Sequence, residues 1–203
     1  MESDTSSLTR TQRARRDDIV AAAIAVIDNE GFAAASVDRI ARQAGAIKGT
    51  VLYHFKTKDA ICEAVVTALY AEGAAFKARH AQNTGPASER LARSLRSNLE
   101  FICTHATHVR AVQRIIENAP HHRDRIPDLV EPLSHLLAEG QRSGEFARFD
   151  PLIVAAAIRA IIDASAYYLA NSDDVDIDHI FSEVVQFIQR ATAVAHVSRK
   201  EKQ

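Results

Sequence analysis

A cation, a glycine and a hydroxyl lie side by side at Lys48, Gly49 and Thr50, and two ring side chains follow at Tyr53 and His54. These residue types suit contact with a nucleic acid. Lysine and the threonine hydroxyl bind phosphate, the threonine methyl group contacts thymine, and glycine lets the backbone approach the ligand closely. The pattern therefore indicates a DNA-binding surface.

Two short helices and a tight turn are expected to position these residues. Ser36 is a good N-cap for the first helix, in which Ile40 and Ala44 recur at helical spacing. Gly45 supplies the left-handed conformation that ends a helix, and Lys48 opens the next one. Two helices joined in this way form a helix-turn-helix, whose second helix enters the major groove of DNA.

The sequence around this motif has a family resemblance. Residues 44–58 read AGAIKGTVLYHFKTK and residues 21–32 read AAAIAVIDNEGF, and both resemble the TetR family of bacterial transcriptional regulators. The resemblance implies that Lys48 contacts phosphate or a base edge and that Tyr53, His54 and Lys58 lie against the phosphate backbone. The predicted DNA-contacting residues are Ser36, Arg39, Lys48, Gly49, Thr50, Tyr53, His54 and Lys58.

The chain departs from the family pattern at three positions. Ile47 stands where a serine is frequent, so a capping and phosphate-binding hydroxyl is missing. Leu52 stands where a tyrosine is frequent, which removes one expected phosphate contact. Asp38 lies in the first turn of the second helix, where it can favour the helix dipole but cannot attract phosphate, and Arg39 beside it is the better candidate for contact.

The periodicity of apolar residues predicts an all-α fold of about nine helices, with no alternating strand pattern and no internal repeat. We expect a disordered tail over residues 1–10, a three-helix DNA-binding head over residues 11–56, and an effector-binding and dimerisation body over residues 57–196. The fourth helix is expected to connect the head to the body.

The last two helices carry wide apolar faces, which a partner subunit would cover. The resemblance implies a four-helix bundle built from the eighth and ninth helices of two subunits, and a helix-turn-helix that reads a two-fold operator needs a dimer. The alternative is a core formed entirely within one chain. The predicted interface residues are Ile161, Tyr168, Ile177, Phe181, Val184 and Ile188.

The body is expected to hold an effector pocket if the resemblance extends that far. Polar and aromatic residues share a stripe of the fifth helix at Ser94, Asn98, Phe101 and His105, and mixed residues of this kind suit a pocket wall. The alternative is an ordinary core, in which Arg159 and Asp163 pair with each other. The predicted ligand-binding residues are Asn98, Phe101, His105, Asp163 and Tyr167.

Composition and motifs narrow the function classes. The net charge is −1, so overall charge does not indicate nucleic acid and only local cations can. The histidine pairs His105/His108 and His121/His122 lack a metal-ligand spacing such as HExxH, and we expect no metal site and no cofactor. No catalytic motif is present, which predicts a protein that is not an enzyme.

The sequence predicts a cytoplasmic protein. The N-terminus lacks a signal-peptide core, and no apolar run is expected to approach the ~20 residues that span a membrane.

These features together predict a homodimeric repressor that a small hydrophobic effector releases from a palindromic double-stranded operator. Two alternatives stay open: a DNA-binding regulator or activator that has no small-molecule effector, and a helical metal-dependent enzyme that uses the histidine-rich centre.

Overall fold

The computed structural model describes residues 9–80, 84–172 and 176–194. Within these ranges the chain forms nine α-helices, one short 3₁₀ helix at Pro120–Arg125, and no strand. The prediction of an all-α fold is confirmed. The helices are α1 (Arg10–Glu30), α2 (Val37–Gln43), α3 (Lys48–Phe55), α4 (Lys58–His80), α5 (Ala87–Thr104), α6 (Ala106–Asn118), α7 (Glu131–Arg142), α8 (Pro151–Ala170) and α9 (Ile177–Thr192).

The chain divides into two compact units. The first unit consists of the described part of Met1–Glu72 together with His105–Pro127, and the second consists of Gly73–Thr104 together with the described residues from Asp128 onward. Compactness does not show which residues serve which function, so the division into a head over 11–56 and a body over 57–196 stays a prediction. Most of the predicted tail, residues 1–8, lies outside the described residues.

The first unit begins with a firmly capped helix. The Thr9 hydroxyl accepts a hydrogen bond from the Gln12 amide, and the Gln12 side chain accepts one from the Thr9 amide, which is a capping box. The inner face of α1 is buried, as Ile19 and Ile27 show, and α1 ends at Gly31, whose φ of 88° favours glycine.

Helix α6 packs on α1 and completes the core of the first unit. Its apolar face includes Val112 and Ile115, both buried. The Arg114 guanidinium donates hydrogen bonds to the backbone carbonyls of Ile27, at 2.7 Å, and Asp28. These carbonyls lie in the last turn of α1. The Ile27 carbonyl also accepts a hydrogen bond from the Gly31 amide, and Arg114 adds a positive charge that interacts favourably with the helix dipole.

In the second unit, α5 packs against α7, α8 and α9. Leu91, Leu95 and Leu99 form its buried stripe, as the sequence predicts. A close approach explains Gly140 on α7: a Cβ atom there would lie 2.2 Å from Cδ2 of Phe146. Any larger residue at position 140 would displace the buried Phe146 ring.

Helix α8 corrects one expectation from the sequence. By length and composition, the 20-residue helix Pro151–Ala170 is long and apolar enough to cross a membrane. The core helix of a soluble protein passes the same test, and α8 packs on α5 and α7 in the second unit. It also carries the ion pair of Arg159 with Asp163. Its apolar character is therefore weak evidence for a membrane.

Candidate nucleic-acid interface

Helices α2 and α3 form the predicted helix-turn-helix. The Ser36 hydroxyl accepts a hydrogen bond of 3.1 Å from the Arg39 amide and so caps α2. Gly45 has a φ of 59° in the turn, as the left-handed C-cap requires. Helix α3 begins at Lys48 after an Ile47 whose side chain makes no capping bond, which agrees with the departure from the family pattern. Val51 and Phe55 are buried and hold α3 in place.

The outer face of α3 presents most of the predicted contact residues to solvent. Lys48 and Gly49 are exposed and Thr50 is half-buried. A Cβ atom added at Gly49 would meet no atom within 4 Å, so no protein contact requires glycine there. Tyr53 is 63% exposed, so its ring is accessible on this face.

Two of the predicted cations already have acidic partners. The Lys48 ammonium lies 2.9 Å from a carboxylate oxygen of Asp38, and both side chains are more than half exposed. The Arg39 guanidinium binds Glu30 through two nitrogens, and this hydrogen bonding lowers the pKa of the Glu30 carboxyl. A phosphate would have to share or displace these carboxylates.

The basic start of α1 lies beside the end of α3. The Gln12 side-chain amide lies 3.4 Å from the Tyr53 hydroxyl, and the Arg16 guanidinium donates to the His54 backbone carbonyl at 2.5 Å. The same guanidinium stacks 4.1 Å from the centre of the Phe55 ring. The sequence pattern does not indicate that this segment positions α3, because side-chain contacts between distant segments leave no periodic signal.

The imidazole of His54 is half-buried and lies near arginine side chains. Burial, followed by the charges of Arg16 and Arg15, lowers the pKa of its imidazole. Its ring packs edge-on against Tyr53, with ring centroids 5.1 Å apart. The neutral form is therefore favoured in the free protein, and His54 would act on DNA as a hydrogen-bonding group.

Lys58 has a structural role at the head of α4. Its ammonium donates to the Phe32 carbonyl at 2.6 Å and lies 4.0 Å from the centre of the Phe32 ring. The residue is half-buried, and it attaches the start of α4 to the loop after α1. Its predicted contact with phosphate stays a prediction.

The predicted effector residues do not come together around one cavity. Asp163 is exposed and paired with Arg159, and Tyr167 is 60% exposed on α8. The Asn98 amide donates to its own helix, and Phe101 is buried with its ring centroid 5.6 Å from that of Phe76.

His105 precedes α6 and belongs to the first compact unit, whereas the other four predicted effector residues belong to the second. The cavities among the described residues include two in the second unit. A volume of about 10 Å³ lies between α5 and α9, beside Leu91 and Ile188. An open cleft of about 550 Å³ lies at the end of α7, beside Gln141 and Phe149. None of the five predicted residues lines either one.

The predicted dimer residues differ in exposure. Ile188 is only 2% exposed, so its side chain lies in the core of its own chain rather than on an exposed face of α9. Tyr168 is 57% exposed. Half-buried side chains make up the rest: Ile161, Ile177, Phe181 and Val184.

The sequence pattern missed three exposed apolar residues on the same two helices. Phe187 on α9 is 61% exposed, and Leu152 and Ile153 on α8 are 57% and 65% exposed. The sequence of a helix that is apolar on nearly all sides does not show which side packs against its own chain. Only the packing of α8 in the structure separates the covered side from the exposed side.

Known proteins resemble this chain in part of its sequence and in its fold. Residues 19–65 match the model of a family described as bacterial regulatory proteins, tetR family. No curated protein matches the chain.

Solved structures resemble the chain over most of its length. A regulatory protein of the tetR family from Rhodococcus RHA1 has a TM-score of 0.77 at 21% identity, over 89% of this chain and 98% of that one. The fatty acid degradation regulator from Bacillus halodurans has a TM-score of 0.76 at 20% identity, over 86% and 94%. A ketosteroid transcriptional regulator of Mycobacterium tuberculosis has a TM-score of 0.69 at 20% identity, over 89% and 96%. At these identities the likeness shows a shared fold.

Proposed function

We propose that this chain, whose residues 19–65 match the tetR family of bacterial regulatory proteins and whose fold resembles that of solved tetR regulators, is a homodimeric, cytoplasmic repressor. Its operator is a palindromic DNA duplex, and a small hydrophobic effector releases it. Family membership of the N-terminal domain supports a DNA-binding transcriptional regulator. The operator symmetry, the repression and the effector are our proposals.

One observation carries the DNA-binding role. Helix α3 is fixed from behind by the buried Val51 and Phe55, and its exposed face presents Lys48 and Tyr53 beside the basic start of α1. A fixed helix that presents cationic and hydrogen-bonding groups to solvent suits binding in a major groove. In this proposal Lys48 and Thr50 read bases or bind phosphate, and Tyr53 and His54 bind the backbone.

The exposed face of α8 supports the dimer. Leu152, Ile153, Tyr167 and Tyr168 are each more than half exposed, and small residues such as Ala160 lie exposed between them. Exposed apolar surface of this extent along a 20-residue helix indicates a partner. A second copy with two-fold symmetry would also supply the second recognition helix that a palindrome needs.

The effector is proposed from weaker support. Two similar structures are regulators named for fatty acid degradation and for ketosteroids, which favours a hydrophobic ligand. Among the predicted effector residues, Asn98 and Phe101 lie on α5, a helix of the second unit's core. Binding there would act by favouring one conformation of the dimer and changing the separation of the two recognition helices.

DNA binding is tested by footprinting the purified protein on the promoter of its own gene and neighbouring promoters, followed by affinity measurements over a range of salt. We expect a protected palindrome. Lys48→Ala should weaken binding by at least about 1 kcal/mol and reduce the salt slope by about one, whereas Arg148→Ala, which removes an exposed cation from the second unit, should change neither. Absence of any protected site, or equal loss in both variants, would contradict the proposal.

Effector response is tested separately with fatty acids and steroids, by thermal shift and by release from the protected DNA. We expect Asn98→Ala to reduce the response without changing DNA affinity, and Asn118→Ala, at an exposed position of α6, to leave both unchanged. A regulator without an effector would bind DNA equally in the presence of every compound, which is the alternative prediction from the sequence.

A further inference from the structure

Three side chains of the first unit converge on one point outside the DNA-binding surface. Asp59 lies in the first turn of α4, and His121 and His122 lie in the 3₁₀ helix Pro120–Arg125. One Asp59 carboxylate oxygen is 2.8 Å from Nε2 of His121 and 3.1 Å from Nε2 of His122. The candidate ligand atoms of all three residues lie within 4.8 Å of one another.

His122 supplies an independent observation. Its side chain is 3% exposed, and its buried Nε2 atom makes no hydrogen bond of good geometry, although an Asp59 carboxylate oxygen lies 3.1 Å away. A buried polar atom that makes no hydrogen bond is costly, and native proteins rarely leave one unsatisfied. This nitrogen faces the carboxylate of Asp59 and is adjacent to the ring of His121, whose centroid is 4.2 Å from its own.

We propose that Asp59, His121 and His122 bind a divalent transition-metal ion of the zinc class. Two imidazole nitrogens and one carboxylate oxygen are a donor set that zinc accepts, with a fourth position left for water. In a tetrahedral set the ligand atoms are roughly 3.3 Å apart for metal–ligand bonds near 2.0 Å. The Asp59 oxygen lies 2.8 and 3.1 Å from the two histidine nitrogens, so both distances are within about half an ångström of this value.

The surroundings permit this small opening. The side chains of Asp59 and His121 are 60% and 61% exposed, so they can move outward and admit water, while the buried His122 stays fixed. The bound ion would give the buried nitrogen a partner. It would also add a link between the head of α4 and the segment that follows α6, which the His121–Asp59 hydrogen bond already joins.

The neighbouring charges are compatible with a cation. Arg125 is paired with Glu63 at 3.2 Å, so its positive charge is locally compensated. Lys58 precedes Asp59, but its ammonium is bound to the Phe32 carbonyl. Borderline nitrogen and oxygen donors favour Zn²⁺, Co²⁺ or Ni²⁺ over Mg²⁺ or Ca²⁺, which prefer oxygen ligands alone.

The test uses the untagged full-length protein, stripped with a chelator and titrated calorimetrically with Zn²⁺. Co²⁺ is then added in place of zinc so that its visible absorption reports the coordination geometry. We expect binding of a single ion per chain and a rise in thermal stability on binding. His121→Ala and Asp59→Asn should each weaken Zn²⁺ by at least about tenfold, because each removes a ligand.

His135→Ala is the matched control, since it removes an exposed histidine of α7 in the second unit. It should bind Zn²⁺ like the parent protein. Both site variants change exposed side chains and are expected to fold, which circular dichroism checks. Zn²⁺ affinity equal in parent and site variants, or no binding by the parent, would overturn the proposal. Because the titration contains no DNA, that result would leave the DNA-binding role unaffected.

Discussion

The Arg110 guanidinium on α6 binds the Asp28 carboxylate on α1 through two parallel hydrogen bonds of 2.6 and 2.7 Å. The Asp28 side chain is only 8% exposed, and that of Arg110 is 28% exposed. Bidentate pairs of this kind fix orientation as well as distance. Helix α6, which sequence reasoning assigned to the body, is therefore attached to a helix of the predicted DNA-binding head.

Arg110→Ala should destabilise the first unit by about 2 kcal/mol, because it leaves the buried Asp28 carboxylate without its partner. Chemical unfolding of the single variants and of Asp28→Ala with Arg110→Ala gives the coupling energy. We expect the double variant to lose less than the sum of the two single losses. A coupling near zero would show that the pair is only a surface contact.

The sequence alone predicts the fold and the recognition helix well, because both rest on local signals. Ser36 caps α2 and Gly45 ends it, as predicted, and the apolar residues Val51 and Phe55 of α3 are buried. Each of these signals depends on residues within a few positions of one another, where backbone geometry determines the outcome.

Contacts between distant segments could not be predicted in this way. Asp59 and His121 are 62 positions apart, and neither lies in a recognised metal-ligand spacing. The core position of Ile188 was also missed, because the apolar stripe of α9 is wide enough to serve both the core and an interface. Only packing shows that its neighbour Phe187 is the exposed one.

Asp38 is expected to limit DNA affinity, since it holds the Lys48 ammonium at 2.9 Å and brings a negative charge to the recognition surface. Asp38→Asn should tighten operator binding by about threefold, because removing an exposed negative charge should improve the binding free energy by ~0.6 kcal/mol. Glu117→Gln, at an exposed position of α6, is the control and should have no effect. Fluorescence anisotropy with labelled DNA measures both, and weaker binding by Asp38→Asn would mean that the carboxylate positions Lys48 productively.

The neighbours Phe187 and Ile188 should respond in opposite ways to substitution. Phe187→Asp places a charge on the exposed apolar surface and should give folded monomers, because dimerisation would bury that charge unpaired. Ile188→Ala should leave the dimer intact and lower its stability by about 2–5 kcal/mol through a core cavity. Analytical ultracentrifugation and chemical unfolding separate the two effects.

Gln186→Asp is the control for charge, since it adds the same charge at an exposed polar position of α9. It should stay dimeric. If the parent protein sediments as a monomer at micromolar concentration, the proposal that a partner copy covers the exposed apolar surface of α8 and α9 is wrong.

Glu145 should make the second unit sensitive to acid. Its carboxylate accepts hydrogen bonds from the backbone amides of Ser88 and Ala87 at the start of α5, and from the Ser88 hydroxyl. These bonds, with the Ser88 amide first, lower the pKa of Glu145 from 4.5 to about 2. Because the folded pKa lies below the unfolded value, the stabilisation is complete above pH 4.5 and is lost as the pH falls toward 2.

Glu145→Gln should therefore lower the unfolding midpoint at pH 7 and flatten its dependence on pH between about 5 and 3. Glu183→Gln, which neutralises an exposed carboxylate on α9, should reproduce the pH dependence of the parent. Asp128, whose pKa the amides of Glu131 and Val130 lower, contributes in the same direction in every variant, so the comparison isolates Glu145. Urea unfolding followed by circular dichroism at each pH is the measurement. Parallel pH profiles for parent and Glu145→Gln would show that the amides at the start of α5 do not depend on this carboxylate.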